Sequence, residues 1–513
     1  MRPSKDLIEL IHALSQSEKR YFKVFAAKRR GKDNVYIRLF DAIDAQKVYD
    51  EKALREKFNN EPFVRQLHVA KNYLYKVLLK SLAAYHSKIS MNAQLQEMLG
   101  FIEVLYEKGF YGQCEKLIKK GKQLCRQYEK YLILAQFCEW EGKVLLRKSK
   151  FAQMHACSVE QQFCLENAQN ILYFKQKAFN MYDKVVKMGV VRNRAQRKEL
   201  YRLVHDPVLK RNMALQPNEL LYYKYSIFSL YASAIGNHRK HFNYTMKIFE
   251  IFERNKNFRE EFPYHYISSV NNLCNALIYL NKSEEVIPLV QKMREFCTSS
   301  LVNKREGASV TGLLLSFDLE IIAYLNTQQF QKIISLTKPV EELLTLHGKK
   351  LQESNLLDLI YDMAYGLFLA KDYDRSLTWL LKIIHENRLS TRYDIYEASR
   401  ILLLVLHYEM KHEALLRNII KPTLKFLDKK KRLHLPEKIF LRFLDSLLRL
   451  KDNSQRTAAF KKLRKEIQAA LKNPMEQRVL QYFDIPAWID SKILNKDLSI
   501  ILKEKTKNKK DET

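Results

Sequence analysis

The sequence predicts an all-α protein built from stacked helical hairpins. It contains only 12 glycines and 11 prolines in 513 residues, about 4.5% of the chain against roughly 12% in average proteins. Because these residues end helices and form turns, their scarcity indicates long helices with short connections. The chain has no Asn-Gly or Asp-Gly pair and no sustained alternation of apolar and polar residues, so we expect no β-sheet. A sequence motif in which one apolar helix is joined to another by a tight turn recurs along the chain.

Residues 1–92 are predicted to form a separate basic helical domain. Ser15 and Glu18 have the spacing of a capping box, in which each side chain satisfies a free amide at the start of a helix. Two short helices, near 35–45 and 51–58, and a longer one over 64–86 follow.

The longest of these helices has one apolar face and one basic face. Short helices followed by a helix with a basic outer face resemble a helix-turn-helix unit, whose recognition helix enters the major groove of DNA. The alternatives are a solvated face or an end cap for the hairpin stack. The candidate nucleic-acid contacts are Lys28, Arg29, Arg30, Arg65, Asn72, Lys76 and Lys80.

The recurring motif is clearest over residues 363–383. There Gly366 and Ser376 are the small residues that let two helices approach, and Tyr373 lies between them after the turn. A second good copy lies over 101–121. The motif resembles the tetratricopeptide repeat. This resemblance implies a right-handed α-solenoid in which the first helix of each hairpin lines a concave groove.

Fainter copies extend the resemblance over about residues 93–425. They recur at 40 to 47 residues, longer than the roughly 34 of a standard tetratricopeptide unit, so we expect a divergent member with longer helices. Residues 426–502 are predicted to cap the stack and 503–513 to form a disordered basic tail. The counterparts of Ser376 in the other copies are Cys114, Met154, Phe242, Val286, Ile333 and Leu416.

Prolines recur at matched positions in two copies, at Pro339 and Pro422. Inside a helix each would remove one hydrogen bond and bend the helix, which would curve the stack. The alternative is that these prolines begin helices.

An uncharged arc of polar residues is predicted on a helix over 266–280, opposite its packed side. Asparagines at this place resemble those with which tetratricopeptide proteins hold the backbone of an extended peptide, since one amide both donates and accepts. The alternatives are a solvated face or hydrogen bonds between neighbouring hairpins. The corresponding face of the 363–383 copy is predicted to be apolar, through Ile360, Met363 and Leu367. The arc consists of Ser268, Asn271, Asn272, Asn275 and Tyr279.

The positive charge is concentrated at the two ends. Of the net charge of +32, residues 1–90 carry +9 and residues 425–513 carry +11. Such ends could meet nucleic acid, an acidic protein or a membrane surface, or simply aid solubility.

No arrangement of residues indicates an enzyme, a cofactor or a metal. The sequence lacks glycine-rich phosphate loops, a Gly-x-Ser-x-Gly elbow and a His-Glu-x-x-His helix. His407 and His412, five apart, are predicted to point to different helix faces. The seven cysteines never form a Cys-x-x-Cys pair and are expected to be reduced core thiols, as in a cytoplasmic protein.

The sequence therefore predicts a cytoplasmic, non-enzymatic scaffold that binds a protein or peptide partner in its concave groove. The alternative is a nucleic-acid-associated regulator, in which residues 1–92 bind nucleic acid and the repeats sense a partner.

Overall fold

The computed structural model of the chain is all-α. About 86% of the chain is helical, and the described residues contain no β-strand, which confirms that the protein is all-α. The described residues are 3–30, 35–46, 48–86, 90–188, 191, 194–210, 216–348, 351–385, 392–429, 435–450, 452–473 and 476–511.

The chain divides into two compact units, Met1–Tyr173 and Phe174–Thr513. One long helix, α9, begins in the first unit and ends in the second. A short 3-10 helix, Pro62–Gln66, precedes α5. The α-helices that begin in the first unit are α1 (Pro3–Ala13), α2 (Gln16–Arg30), α3 (Val35–Asp44), α4 (Glu51–Lys57), α5 (Leu67–His86), α6 (Met91–Glu107), α7 (Tyr111–Gln127), α8 (Tyr131–Arg147) and α9 (Phe151–Met188).

The described residues of the first unit form two large hydrophobic clusters and a small one of Cys138, Leu145 and Cys157. Of the two large clusters, one joins α1 to α5, and the other joins α6 to α9. The predicted capping box opens α2: the Ser15 amide donates to Glu18 Oε2 at 2.8 Å, and the Glu18 amide donates to Ser15 Oγ at 3.3 Å. The two predicted short helices and the predicted long helix are also present, as α3, α4 and α5.

The second unit continues the succession of helices to the end of the chain. Its two short 3-10 helices are Ser283–Glu285 and Glu476–Gln481. Its α-helices are α10 (Arg194–Val204), α11 (Pro207–Lys210), α12 (Asn218–Ala234), α13 (His238–Arg254), α14 (Lys256–Glu261), α15 (Pro263–Tyr279), α16 (Val286–Thr298), α17 (Ser300–Asn303), α18 (Glu306–Asn326), α19 (Phe330–His347), α20 (Glu353–Leu369), α21 (Tyr373–His385), α22 (Tyr393–Glu409), α23 (Glu413–Lys429), α24 (Leu435–Leu447), α25 (Asn453–Ala470), α26 (Ile485–Ile493) and α27 (Leu498–Asp511).

The same backbone turn recurs between consecutive helices. One residue adopts a left-handed conformation, and the next amide donates to a carbonyl five residues earlier, as from Asp372 to Leu367 and from Lys282 to Leu277, both at 2.9 Å. This is the Schellman motif that closes helix ends. Only two of the left-handed residues are glycines, so a search for turn glycines finds few of these turns. The left-handed residues are Gly109, Glu129, Ser149, Gly236, Asn281, Gln328, Lys371, Lys411 and Asn495.

Helices of the second unit pack in a regular order. The first helices of successive hairpins, α15, α18, α20 and α22, lie side by side. The second helices α16, α19 and α21 each pack on the first helix of the next hairpin. Successive turns from Gly236 to Lys411 are 45, 47, 43 and 40 residues apart, close to the predicted intervals.

Small residues lie where neighbouring helices approach most closely. A Cβ on Gly366 would lie 2.5 Å from Ile333 Cδ1, so a larger residue there would force the Ile333 side chain to move. Ser376 Oγ donates to the Ala364 carbonyl at 2.7 Å. The predicted role of Gly366 and Ser376 in close packing is confirmed.

Three further predictions concern single helices. Pro339 and Pro422 lie inside α19 and α23, so the alternative that they begin helices is wrong. Helix α27 runs to Asp511, although residues 503–513 are predicted to be disordered. By length and composition α18 could cross a membrane, but 56% of its apolar window is buried within the fold, as is usual for a core helix.

Candidate functional site

Helix α15 carries the predicted uncharged arc on its surface. Ser268, Asn272 and Tyr279 are exposed, and Asn271 and Asn275 are partly buried. The opposite side of the helix is packed, as predicted, by residues at most 2% exposed: Ile267, Val270, Cys274 and Leu277.

Tyr264 belongs to the same surface, and sequence analysis missed it. The predicted helix began at residue 266, whereas α15 begins at Pro263, which is a usual first residue of a helix. Tyr264 is 52% exposed, and its hydroxyl lies over Gly307 of α18, where a Cβ would come within 2.4 Å. From Tyr264 to Tyr279 the helix rises about 22 Å. We call the six residues Tyr264, Ser268, Asn271, Asn272, Asn275 and Tyr279 the α15 stripe.

The polar groups of the α15 stripe are only partly used within the fold. Asn275 Nδ2 donates to the Asn271 carbonyl at 3.0 Å. The Tyr279 ring stacks on His238, with ring centres 5.0 Å apart. Within the described residues the side-chain amides of Asn271 and Asn272 form no hydrogen bond, so they remain available to a ligand.

The recurring turn identifies the counterparts of these residues in other hairpins. Asn271, Asp318 and Tyr361 each lie ten residues before the left-handed residue of their turn. Asn275 and Tyr365 each lie six residues before it. The predicted counterparts in α20 are therefore wrong. By the same turn, Ile360, Met363 and Leu367 correspond to packed residues of α15, and all three are themselves buried. Those packed residues are Val270, Leu273 and Leu277.

Tyr361 and Tyr365, the α20 counterparts of Asn271 and Asn275, contact a C-terminal segment of the chain. Tyr361 Oη donates to the Tyr482 carbonyl at 3.0 Å. The Phe483 ring packs against Tyr365 and Phe368, with ring centres 6.2 Å apart in both pairs. The α20 surface thus binds a distant segment by one bond to its backbone and by aromatic contacts.

Helix α26 fixes this segment to the neighbouring hairpin. Trp488, which is fully buried, donates from Nε1 to Glu409 Oε1 of α22 at 2.7 Å. Lys492 forms an ion pair with the same carboxylate at 2.6 Å. Beyond α26, Lys371 of the α20 turn pairs with Asp497 at 2.6 Å.

Three aspartates lie beside this contact: Asp318 on α18, and Asp358 and Asp362 on α20. Arg392 pairs with Asp358 at 2.6 Å. Burial and the nearby Asp358 raise the pKa of Asp362 to about 7, although Arg392 opposes the shift. Burial and the neighbouring carboxylates also raise the pKa of Asp318, whose Oδ1 is a buried atom without a hydrogen-bond partner. These raised pKa values mean that a cation placed beside Asp318 and Asp362 would favour release of their protons.

The predicted basic face of α5 is exposed. Arg65, Asn72, Lys76 and Lys80 all face solvent, and none forms an ion pair within the described residues. Lys71, on the other side, is buried and pairs with Glu51 at 2.8 Å. The side chains of Lys28, Arg29 and Arg30 lie outside what the structure describes.

Possible metal ligands meet at one place in the described residues, in the first unit. Ligand atoms of Cys138, Glu141 and Glu160 lie within 4.8 Å of one another. All seven cysteines are buried free thiols, as predicted.

The prediction for the two histidines of α22 and its turn was wrong. His407 Nδ1 and His412 Nδ1 lie 3.3 Å apart. Helix α22 ends at Glu409, and the turn brings His412 back towards His407, so the angle expected along a continuous helix does not apply.

Comparison with known families and curated proteins assigns none of these sites. A scan against known protein families finds no match, and a search of curated proteins finds no similar chain. The candidate sites therefore depend on geometry.

Proposed function

We propose that the protein is a non-enzymatic helical-repeat scaffold of the tetratricopeptide kind. In this proposal its hairpins form an α-solenoid, and the α15 stripe binds an extended segment of a partner protein in the groove. The recurring turns and the side-by-side first helices support the repeat architecture.

The observation that carries the proposal is the occupied surface of α20. There Tyr361 and Tyr365 hold residues 482 and 483 of the chain's own C-terminal part. Their counterparts in α15 are Asn271 and Asn275, which have groups suited to the same task and, among the described residues, no such segment against them. Asparagine can both donate to and accept from a peptide backbone, which fits an extended ligand.

The adjoining hairpins indicate the chemistry of the partner. Asp318 occupies on α18 the position that Asn271 occupies on α15, and these helices pack side by side. Because a nearby cation favours the ionised forms of Asp318 and Asp362, a lysine or arginine side chain next to the bound backbone would pair with them. We therefore expect the partner segment to be extended and to carry a basic residue.

Selection of displayed peptides against the full chain tests this proposal. Peptides enriched in lysine or arginine should bind the wild type and lose at least tenfold in affinity to the double variant Asn271→Ala, Asn275→Ala. Asn243→Ala, at an exposed position of α13, is the matched control and should bind as the wild type does.

A photo-crosslinking residue separates this surface from others. Placed at Ser268 it should capture the selected peptide, whereas at Asn243 it should not. Equal crosslinking at both positions, or full binding by the double asparagine variant, would contradict the assignment to the α15 stripe.

The exposed cations of α5 favour a second candidate function, nucleic-acid binding. Phosphate contacts by Arg65, Lys76 and Lys80 would release counterions, so affinity would fall steeply as salt increases. The triple variant of these residues to glutamine should bind mixed DNA and RNA at least tenfold more weakly and with a smaller salt slope. Absence of binding by the wild type at low salt would exclude this role.

A further inference from the structure

We propose that α8 and α9 form a zinc site in the first unit, with Cys138, Glu141, Cys157 and Glu160 as its four ligands. These residue types suit Zn²⁺, which takes thiolate and carboxylate ligands in tetrahedral sites. The site is independent of the α15 stripe and of the proposed partner binding.

The ligands come in two identical pairs. Cys138 and Glu141 lie three residues apart on α8, and Cys157 and Glu160 lie three residues apart on α9. Residues at this spacing share one face of a helix. Two facing helices that each supply two ligands from consecutive turns resemble the metal sites of helical bundles.

Part of the site is formed before any metal enters. Cys138, Glu141 and Glu160 present ligand atoms within 4.8 Å of one another. Cys157 Sγ lies 3.5 Å from Glu141 Oε2, close to the sulfur–oxygen edge of about 3.6 Å that zinc bonds of about 2.3 Å to sulfur and 2.0–2.2 Å to oxygen give in a tetrahedron. The Cys157 thiol donates to the Cys138 carbonyl at 3.1 Å, so it must turn away from that carbonyl to complete the set.

A positive charge already occupies the space between the carboxylates. The Lys122 ammonium, whose side chain is 8% exposed, lies 2.7 Å from Glu160 and also contacts Glu141. Arg126 contacts the other oxygen of Glu160. The two carboxylates are thus held in the arrangement that a cation requires.

Lys122 must leave this position when zinc binds, and a cavity beside it provides the space. The cavity has a volume of about 340 Å³ and is lined by Lys122, Glu115, Arg126 and Gln153 among others. Two thiolates and two carboxylates around Zn²⁺ carry a net charge of −2. Arg126, which contacts Glu160, balances part of that charge.

The protonation of the thiols makes the site depend on pH. Burial raises the pKa of Cys138 to about 12 and the pKa of Cys157 to about 11, so both thiols are protonated in the metal-free protein. Zinc binds thiolates, so each Zn²⁺ that enters displaces two protons into water. Affinity should therefore rise with pH.

Titration of the full-length protein with Co²⁺, followed by displacement with Zn²⁺, tests the site. One equivalent of Co²⁺ should produce a thiolate-to-cobalt charge-transfer band, and Zn²⁺ should remove it. The double variant Cys138→Ser, Cys157→Ser should lose the band. Cys114→Ser is the matched control, because Cys114 bonds the Ile102 carbonyl as Ser376 bonds Ala364, and it should keep the band.

Lys122→Met provides a test that does not remove a ligand. Without Lys122 the carboxylates lack their cation, so this variant should melt at a lower temperature than the wild type in a chelator. Zn²⁺ should restore its melting temperature and bind at least tenfold more tightly than to the wild type. Lys120→Met, at an exposed position of the same helix, should behave as the wild type does.

Three results would overturn the proposal. These are no stoichiometric metal in either the wild type or Lys122→Met, a cobalt complex without the thiolate band, and unchanged binding by the double cysteine variant. The first would leave the group as a lysine–carboxylate ion pair only.

Discussion

Two glycines of the first unit differ in the space available for a side chain. Gly121 of α7 faces Phe137, and a Cβ there would lie 2.2 Å from the ring. Gly100 of α6 has nothing within 4 Å of that position. The same substitution therefore has opposite expected effects at the two sites.

Gly121→Ala should destabilise the protein by about 1–3 kcal/mol, because the phenylalanine ring must move within a packed core. Gly100→Ala should stabilise it by about 0.5–1 kcal/mol, since alanine loses less conformational freedom on folding than glycine does. Urea unfolding followed by circular dichroism measures both changes. A gain in stability from Gly121→Ala would contradict the close approach of α7 and α8.

The raised pKa of Asp362 predicts that stability falls as pH rises. In the unfolded chain the carboxyl releases its proton near pH 4, whereas in the folded protein it does so near pH 7. Between these values the folded state binds the extra proton, so the free energy of unfolding decreases with pH and is constant above about 7. Asp318 titrates with Asp362, which broadens this range.

Asp362→Asn should therefore stabilise the protein at pH 8, by about 1–2 kcal/mol, and reduce the slope between pH 4 and 7. Asp374→Asn, at an exposed position of α21, should leave the slope unchanged. Thermal melts across this pH range compare the three proteins. An unchanged slope in Asp362→Asn would mean that the carboxyl is solvated in the folded state.

At the scale of helices, the C-terminal contact is the feature that completes the second unit. Residues 482–497 pack on α20 and α22 through Tyr361, Trp488 and Lys371. Removing the Phe483 ring should loosen the start of this segment, because the ring packs against both Tyr365 and Phe368.

Phe483→Ala should cost about 3–5 kcal/mol, as expected for a buried phenylalanine. Tyr361→Phe, which removes only one hydrogen bond, should cost about 1 kcal/mol. Limited proteolysis should then cut Phe483→Ala near residues 472–484 faster than the wild type. Cleavage at the rate of the wild type would show that the segment is held independently of Phe483.

Sequence patterns predicted the helices well because helices depend on local spacing. The capping box at Ser15, the packed side of α15 and the small residues at Gly366 and Ser376 all follow from periods of three to four residues. The contact between Tyr361 and Tyr482 joins residues 121 apart, and no local pattern predicts it. The predicted start of α15 lies three residues too late, because the prediction did not use Pro263, a usual first residue of a helix, as its start.

The lysine–carboxylate group of α7 to α9 also escaped prediction. Its two Cys-x-x-Glu pairs are visible in the sequence, but cysteines in apolar helices are most often core residues. Only the facing of α8 and α9 brings the pairs together.

For the whole molecule, the net charge of +32 is the dominant long-range effect. Like charges repel one another more in the compact state than in the unfolded chain, and salt screens this repulsion. Raising NaCl from roughly 20 mM to roughly 300 mM should therefore raise the melting temperature by a few degrees. A fall in the melting temperature would indicate that the ion pairs within the fold outweigh the repulsion between like charges.

The lengths of the helices suggest how such a chain can change during evolution. Helices α15, α20 and α22 each contain 17 residues, whereas α18 contains 21. Four added residues advance a helix by about 40° beyond one full turn, so its packed side still meets the same neighbours, whereas two would rotate it by about 200°. Insertions and deletions of about one helical turn should thus survive selection while shorter ones are lost, and distant relatives should differ in length by steps of three or four.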